Sequence, residues 1–339
     1  MKAIVGKLLA GEILSEGEAT ELVSYLTTPE LDPAVAAAAL AGLRTRGETA
    51  GEVRVFARGL QDLALRPEIA DTSRAVDVVG TGGDSSGSLN LSTGAALLAA
   101  AAGAEVVKHG NRSVSSRSGS FDVLAALGLD VPWDAARAGR VFAETGFTYL
   151  YAPAFHPAMK SVAPVRQAMG ARTIFNVVGP LANPARTPFL VVGAFSPAMA
   201  RMMADTLSGM DIDRAFVIHG EPGWDEPTPV GPYLLLDVRP GHVTETLEDP
   251  ADLGIPRCLP EELIGGDPSV NADSIKRVFD GEIGAHRDAL VLGASLALRV
   301  TGVQRHQAQE RVVAALDEGR ASNLLARLEV FAGQESVGV

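Results

Sequence analysis

Two segments of this sequence combine residue types suited to holding a phosphorylated ligand. The first is Gly80-Thr81-Gly82-Gly83-Asp84, followed after a serine-rich stretch by Asn90-Leu91-Ser92-Thr93. Glycines let a backbone approach a ligand closely and present its N–H groups. The first-turn N–H groups of a helix, with the side chains of Asn90, Ser92 and Thr93 beside them, suit an anion. Alone, the pattern reads equally as a strand-to-helix turn with a Ser/Thr cap, since it is neither Gly-x-Gly-x-x-Gly nor a Walker sequence. Asp84 goes beyond what a turn needs. A carboxylate in a loop that attracts anions is unfavourable unless it meets a cation or a sugar hydroxyl. The second segment is Lys108-His109-Gly110-Asn111-Arg112, continued by Ser113, Ser115, Ser116, Arg117, Ser118, Gly119 and Ser120. Point and forked positive charges with neutral hydroxyl donors suit a phosphate or pyrophosphate. The competing reading is a solvated polar loop.

The flanking elements place both segments. Val76-Asp77-Val78-Val79 is a short β-branched run, an Ala-rich helix is expected from about Ser92 to Ala102, and Glu105-Val106-Val107-Lys108 is a second short strand. A strand–helix–strand unit implies a parallel pair. Ligand groups gather at the carboxyl ends of such strands, so the two segments should be neighbours. Further strands are expected at Tyr149-Leu150-Tyr151, Leu190 to Ala194, Ala215 to Ile218 and Tyr233 to Val238, with helices between them. Residues 1–66 carry no strand pattern. Ser15 and Glu18 form a capping-box pair, Pro33 opens an Ala-rich helix, and Glu48 to Leu63 is periodic. The expected fold is α/β: a small all-helical domain over 1–66, joined by helices from about 155–185, and a larger α/β domain over 67–339 with a mainly parallel central sheet.

Composition narrows the function. Across 339 residues the net charge is −12, without basic runs, which disfavours nucleic acid or an anionic membrane as partner. The single cysteine, Cys258, excludes an intramolecular disulfide and a cysteine-built zinc cluster. Met1 to Leu9 does not read as a signal peptide, and the longest apolar stretch, Ala95 to Ala104, is too short to span a bilayer. A soluble cytoplasmic protein is expected.

The motifs together resemble the anthranilate phosphoribosyltransferase family. Beside Gly-Thr-Gly-Gly-Asp, Asn-x-Ser-Thr and Lys-His-Gly-Asn-Arg stand Ala152-Pro153-Ala154-Phe155-His156-Pro157-Ala158-Met159-Lys160 and Val165-Arg166-Gln167-Ala168-Met169-Gly170-Ala171-Arg172-Thr173-Ile174-Phe175-Asn176, running on to Gly179-Pro180-Leu181-Ala182-Asn183-Pro184. The resemblance spans nearly the whole chain. It implies transfer of a phosphoribosyl group from phosphoribosyl pyrophosphate to anthranilate, the second step of tryptophan biosynthesis. It assigns the donor to Gly80, Gly82, Gly83, Asp84, Asn90, Ser92, Thr93, Lys108 and Ser120. It assigns Mg²⁺ to Asp225 and Glu226 with Ser92. The acceptor carboxylate falls to Arg166, the amine and ring to Asn111 and His109, and the acceptor's path to His156 and Gly179. Lys108, Asn111 and Arg166 are the expected catalytic set, while Arg172 reads as structural. A homodimer through the helical domain is implied.

The chain departs from the family pattern in Ser85-Ser86-Gly87-Ser88-Leu89, in the prolines of Pro227-Thr228-Pro229, and at Leu292-Gly293-Ala294. These departures leave open a paralogue acting on another aromatic carboxylate, or a silent nucleotide-binding relative.

Overall fold

The structure is a computed structural model that describes residues 1–112 and 117–333. Ser113, Ser115 and Ser116 of the basic segment lie outside the described residues.

Four helices open the chain: α1 (Lys2–Leu9), α2 (Glu16–Leu26), α3 (Pro33–Arg46) and α4 (Ala50–Leu63). Their starts are chemically marked. Capping boxes form at Ser15/Glu18 and Thr49/Glu52, and Asp32 caps α3 ahead of Pro33. Glu52 is buried, yet it does more than cap. It pairs with Arg46 at 2.5 Å and accepts the Leu14 N–H at 3.1 Å, so one carboxylate joins three parts of the bundle.

The sheet follows. Its parallel part contains β1 (Ala75–Gly80), β2 (Glu105–Gly110), β3 (Phe147–Tyr151), β4 (Phe189–Gly193) and β5 (Arg214–Gly220), and the antiparallel part is β6 (Tyr233–Arg239) and β7 (His242–Glu248). The strand order is β3-β2-β1-β4-β5-β6-β7. The fold is thus a small helical part and a larger α/β part with a mostly parallel sheet. Strand β7 is an addition to the strands expected from the sequence. Its solvent-facing run His-Val-Thr-Glu-Thr-Leu-Glu has no buried residue, so it lacks the apolar signal of its neighbours.

Between strands run α5 (Leu91–Ala101), α6 (Ser120–Ala126), α7 (Ala135–Thr145), α8 (Ala152–Phe155), α9 (Ala163–Met169), α10 (Ile174–Val178) and α11 (Pro197–Ser208). Four helices close the described chain: α12 (Pro268–Phe279), α13 (Ala285–Val300), α14 (Arg305–Asp317) and α15 (Arg320–Gly333). Successive strand residues enter different cores. Val191, Phe216 and Ile218 join the cluster under α5 and α13. Val192, Ala215 and Val217 join the cluster that holds Leu22, Leu40 and Phe56 of the bundle. This two-sided burial explains why β4 and β5 read as unbroken apolar runs. It also fixes the bundle to one face of the sheet. Val162, Val165, Ile174 and Phe175 belong to the same cluster, which ties α9 and α10 to the bundle.

Candidate active site

Strand β1 sits between β2 and β4, so the chain runs outward in both directions from their carboxyl ends, where a crevice forms. Gly80, Gly110, Gly193 and Gly220 end four of the strands there. The glycine loop crosses this rim with Gly82 at φ 63° and Gly83 at φ 80°, backbone that side-chain-bearing residues avoid. Gly193 is required for a different reason. A Cβ there would stand 1.7 Å from the carbonyl oxygen of Asp225, which lies directly across the strand end.

That close approach brings the loop after β5 over the glycine loop. Asp225 Oδ2 accepts the Gly82 N–H at 2.6 Å, and Glu226 Oε1 accepts the Ser92 N–H at 3.0 Å in the first turn of α5. The Asp225 N–H donates to Asp84 Oδ2 at 3.4 Å. Three carboxylates therefore converge. Burial, then the nearby Asp84, pushes Asp225 up to about 7. Burial, then Asp225, pushes Glu226 up to about 8. Such crowding of buried acids fits a divalent cation. Among the described residues no ready-made cage of three or more ligand side chains exists. Mg²⁺ is commonly held by one or two carboxylates with substrate oxygens and waters completing the shell.

Lys108 is buried and donates to the Val78 carbonyl at 2.5 Å. Burial lowers its pKa, while Asp77, Glu226 and Asp225 counteract that. Thr93, also buried, has no partner for its Oγ1. Asn90 is fully engaged: Nδ2 donates to the Ser118 carbonyl, and Oδ1 accepts from Ser118 Oγ and Asn271 Nδ2. It is a strut between α5, the segment after β2 and α12.

A second group lies beside this one. The rings of His109 and His156 meet edge to face at 5.1 Å, and His109 also bonds the Gly179 backbone. Burial, then His156, pushes His109 down to about 3, and burial lowers His156 as well. Both imidazoles are neutral near pH 7. The Nε2 atoms of both are buried without a partner. Arg166 is half-buried, stacked 5.3 Å from the Phe175 ring centroid, and has no carboxylate partner among the described residues. Asn111 is exposed. Its Oδ1 accepts the Arg112 N–H, and its carbonyl accepts from Ser120 Oγ, which also contacts the Tyr149 hydroxyl at 3.1 Å.

Sequence reasoning passed over Asp77, Asn183 and Phe195. Asp77 is fully buried, accepting from the His109 N–H at 3.2 Å and Asn183 Nδ2 at 2.8 Å. The signal was present, because a carboxylate inside a β-branched run must have partners. Arg172, read as structural, reaches the glycine loop and stacks 4.7 Å from the Phe195 ring centroid. Away from the crevice, a cavity of about 200 Å³ opens near the amino ends of β4 and β5, lined by Arg58, Asp62, Thr187 and Asp211 among others.

The model of the glycosyl transferase family a/b domain matches residues 72–322, and that of its helical bundle domain matches residues 2–64. The anthranilate phosphoribosyltransferase of Rhodospirillum rubrum is 41% identical over 335 residues, 98% of this chain and 96% of that one. That of Aeropyrum pernix is 43% identical, covering 95% and 94%. The crystal structure of the Thermus thermophilus anthranilate phosphoribosyltransferase, at 40% identity, superposes with a TM-score of 0.89 over 97% of this chain and 99% of that one. The Saccharomyces cerevisiae enzyme in complex with PRPP and Mg, at 22% identity, shares the fold with a TM-score of 0.87 over 98% and 97%. The chain belongs to the anthranilate phosphoribosyltransferase family.

Proposed function

We propose that this protein transfers the phosphoribosyl group of phosphoribosyl pyrophosphate to anthranilate, releasing pyrophosphate, as the second step of tryptophan biosynthesis. One observation carries the site reading: the docking of Asp225 and Glu226 onto the Gly82 and Ser92 N–H groups. It gathers three acids in a glycine-lined crevice, where a metal-bound pyrophosphate fits and a bare anion does not. Gly80, Gly82, Gly83, Asp84, Asn90, Ser92, Thr93 and Ser120 form the donor's surroundings in this reading. Asp225, Glu226 and Ser92 would hold Mg²⁺. When bound, Mg²⁺ offsets the charge that develops on the departing pyrophosphate.

The chain's own residues account for the rest. Lys108 supplies fixed positive charge from a buried position, where it acts more strongly than in water. Arg166, whose fork is not paired with any carboxylate among the described residues, suits the carboxylate of the acceptor. A His109 that donates from Nδ1 to the Gly179 backbone leaves Nε2, buried and without a partner, as an acceptor. With its pKa near 3, this imidazole orients the aromatic amine and does not deprotonate it. The attacking nitrogen becomes acidic as it bonds, so no strong base is needed. Asn111, His156 and Gly179 line the acceptor's side.

We further propose a cytoplasmic homodimer assembled through the helical part, a boundary at residues 66/67 with 155–185 joining the helical side, and no nucleic-acid partner. No helix among the described residues is long and apolar enough to cross a membrane.

The test is loss of anthranilate fluorescence on mixing protein, phosphoribosyl pyrophosphate and Mg²⁺. Loss requiring all three establishes the activity. Donor binding without loss of fluorescence overturns anthranilate as acceptor and points to another aromatic carboxylate. Absence of metal-dependent donor binding would mark a silent relative.

A further inference from the structure

Arg172 occupies the short link between the left-handed cap of α9 at Gly170 and the start of α10 at Thr173. Helix α10 packs on α3 and α4, so the guanidinium is presented from the helical side of the molecule to a loop that belongs to the sheet. Its landing place is specific. The guanidinium lies over the Phe195 ring, and the Phe195 N–H is itself held by Thr81 Oγ1 at 3.3 Å. Nη1 sits so near Gly83 that a Cβ there would be 1.9 Å from it. Both faces of this contact are therefore parts of the glycine loop or tied to it.

The charge of the guanidinium is not balanced by a neighbouring acid among the described residues. Arg46, Arg214 and Arg299 are each paired with a carboxylate. Arg172 has none among the described residues, although Asp84 is the next residue after the glycine it touches. Asp84 Oδ1 instead accepts from the Ser86 N–H and Oγ. A stacked guanidinium keeps its N–H donors free along the edge of the plane. Beside the glycine turn, free forked donors call for an anion with several oxygens. Lys108 donates to the Val78 carbonyl and faces Asp77.

We propose that Arg172 is a further donor-binding residue, gripping the pyrophosphate moiety from the outer side of the glycine turn. The proposal rests on the transferase reading above and adds to it a contact supplied from the helical part. A pyrophosphate seated on Gly82 and Gly83 would then touch both parts of the protein at once.

The experiment uses Mg²⁺ and inorganic pyrophosphate as the probe, with binding followed by titration calorimetry on the full chain. Arg172→Met keeps the stem on Phe195 and removes the charge. It is expected to raise the pyrophosphate Kd about tenfold or more, the scale of a charge-assisted hydrogen bond. In turnover it should raise KM for the donor and leave KM for the acceptor near wild type. Arg166→Met in the same assay should leave pyrophosphate binding unchanged. A second readout uses the unmutated protein: Mg²⁺ and pyrophosphate should protect Arg172, and not Arg166, from phenylglyoxal as mapped by peptide mass. Unchanged pyrophosphate affinity in Arg172→Met, equal weakening by both variants, or unprotected Arg172 would each overturn the proposal. Wild-type protein that binds neither pyrophosphate nor phosphoribosyl pyrophosphate with Mg²⁺ would overturn the transferase reading itself.

Discussion

Asn183 donates through Nδ2 to Oδ2 of Asp77 at 2.8 Å, and the same amide reaches the Val107 carbonyl at 2.9 Å. One amide from the Gly-Pro-Leu-x-Asn-Pro segment thus joins strands β1 and β2 just below the crevice. Burial raises Asp77 to about 6, with Lys108 and then Asn183 acting against that. Asn183→Ala would leave the fully buried Asp77 without its amide donor. The expected cost is about 3 kcal/mol, measured as a lower urea midpoint. A midpoint equal to wild type would mean that the amide contributes nothing there.

Gly193→Ala probes the crossing of strand β4 by the acidic loop. The new methyl would collide with the Asp225 carbonyl, which is backbone and cannot swing aside. The loop must shift, taking Asp225 from Gly82 and Glu226 from Ser92. Mg²⁺-dependent donor binding should weaken by at least about tenfold, a loss of roughly 1.4 kcal/mol. The far-UV circular dichroism should remain that of wild type. Normal metal-dependent binding in this variant would separate the loop's position from its proposed role.

Glu52 gives the helical part an acid-sensitive joint. Burial disfavours its charge, but the Arg46 guanidinium and the N–H groups of Thr49 and Leu14 outweigh this and hold it below the usual carboxylate value of 4.5. A folded-state pKa below the unfolded one contributes stability above the unfolded value, lost as pH falls through the folded value. Wild type should therefore lose more stability than Glu52→Gln does as pH falls below the usual carboxylate value of 4.5. At pH 7 the variant should be destabilised by about 3 kcal/mol, since Arg46 loses its buried counter-charge. Parallel acid profiles for the two proteins would assign the sensitivity elsewhere.

Arg166→Met should act on the acceptor alone. Its stem can still pack against Phe175, but a carboxylated aromatic would lose a forked partner. KM for anthranilate is expected to rise by roughly 10- to 100-fold with the donor Kd unchanged. Aniline, which has no carboxylate, should be a comparably poor acceptor for variant and wild type. Equal sensitivity of both acceptors would remove Arg166 from carboxylate recognition.

Local sequence disclosed those parts of the site whose residues lie close together along the chain. The glycine loop and the Lys108 segment each fall at the end of a β-branched run, so strand polarity alone made them neighbours. Asp225 and Glu226 carried no such signal. Adjacent acids on a proline-rich loop look solvated until Gly193 and Gly220 are seen to make room for them. Arg172 was illegible for a related reason. Whether an arginine faces solvent or a loop depends on how α9 and α10 meet the bundle, and tertiary packing decides that. Strand β7 escaped because an exposed edge strand is polar on most positions and so imitates a loop.

The hydrogen bond between Gly82 and Asp225 spans 143 residues of chain. During synthesis the glycine loop leaves the ribosome long before the acids that complete it. A nascent chain ending near residue 200 holds the loop and the lysine but neither Asp225 nor Glu226. In the reading proposed above, such intermediates lack the two acids that would hold Mg²⁺. On that reading, stabilisation by the donor begins only when β5 and its following loop are in place, which would make the donor a selective stabiliser of the completed fold.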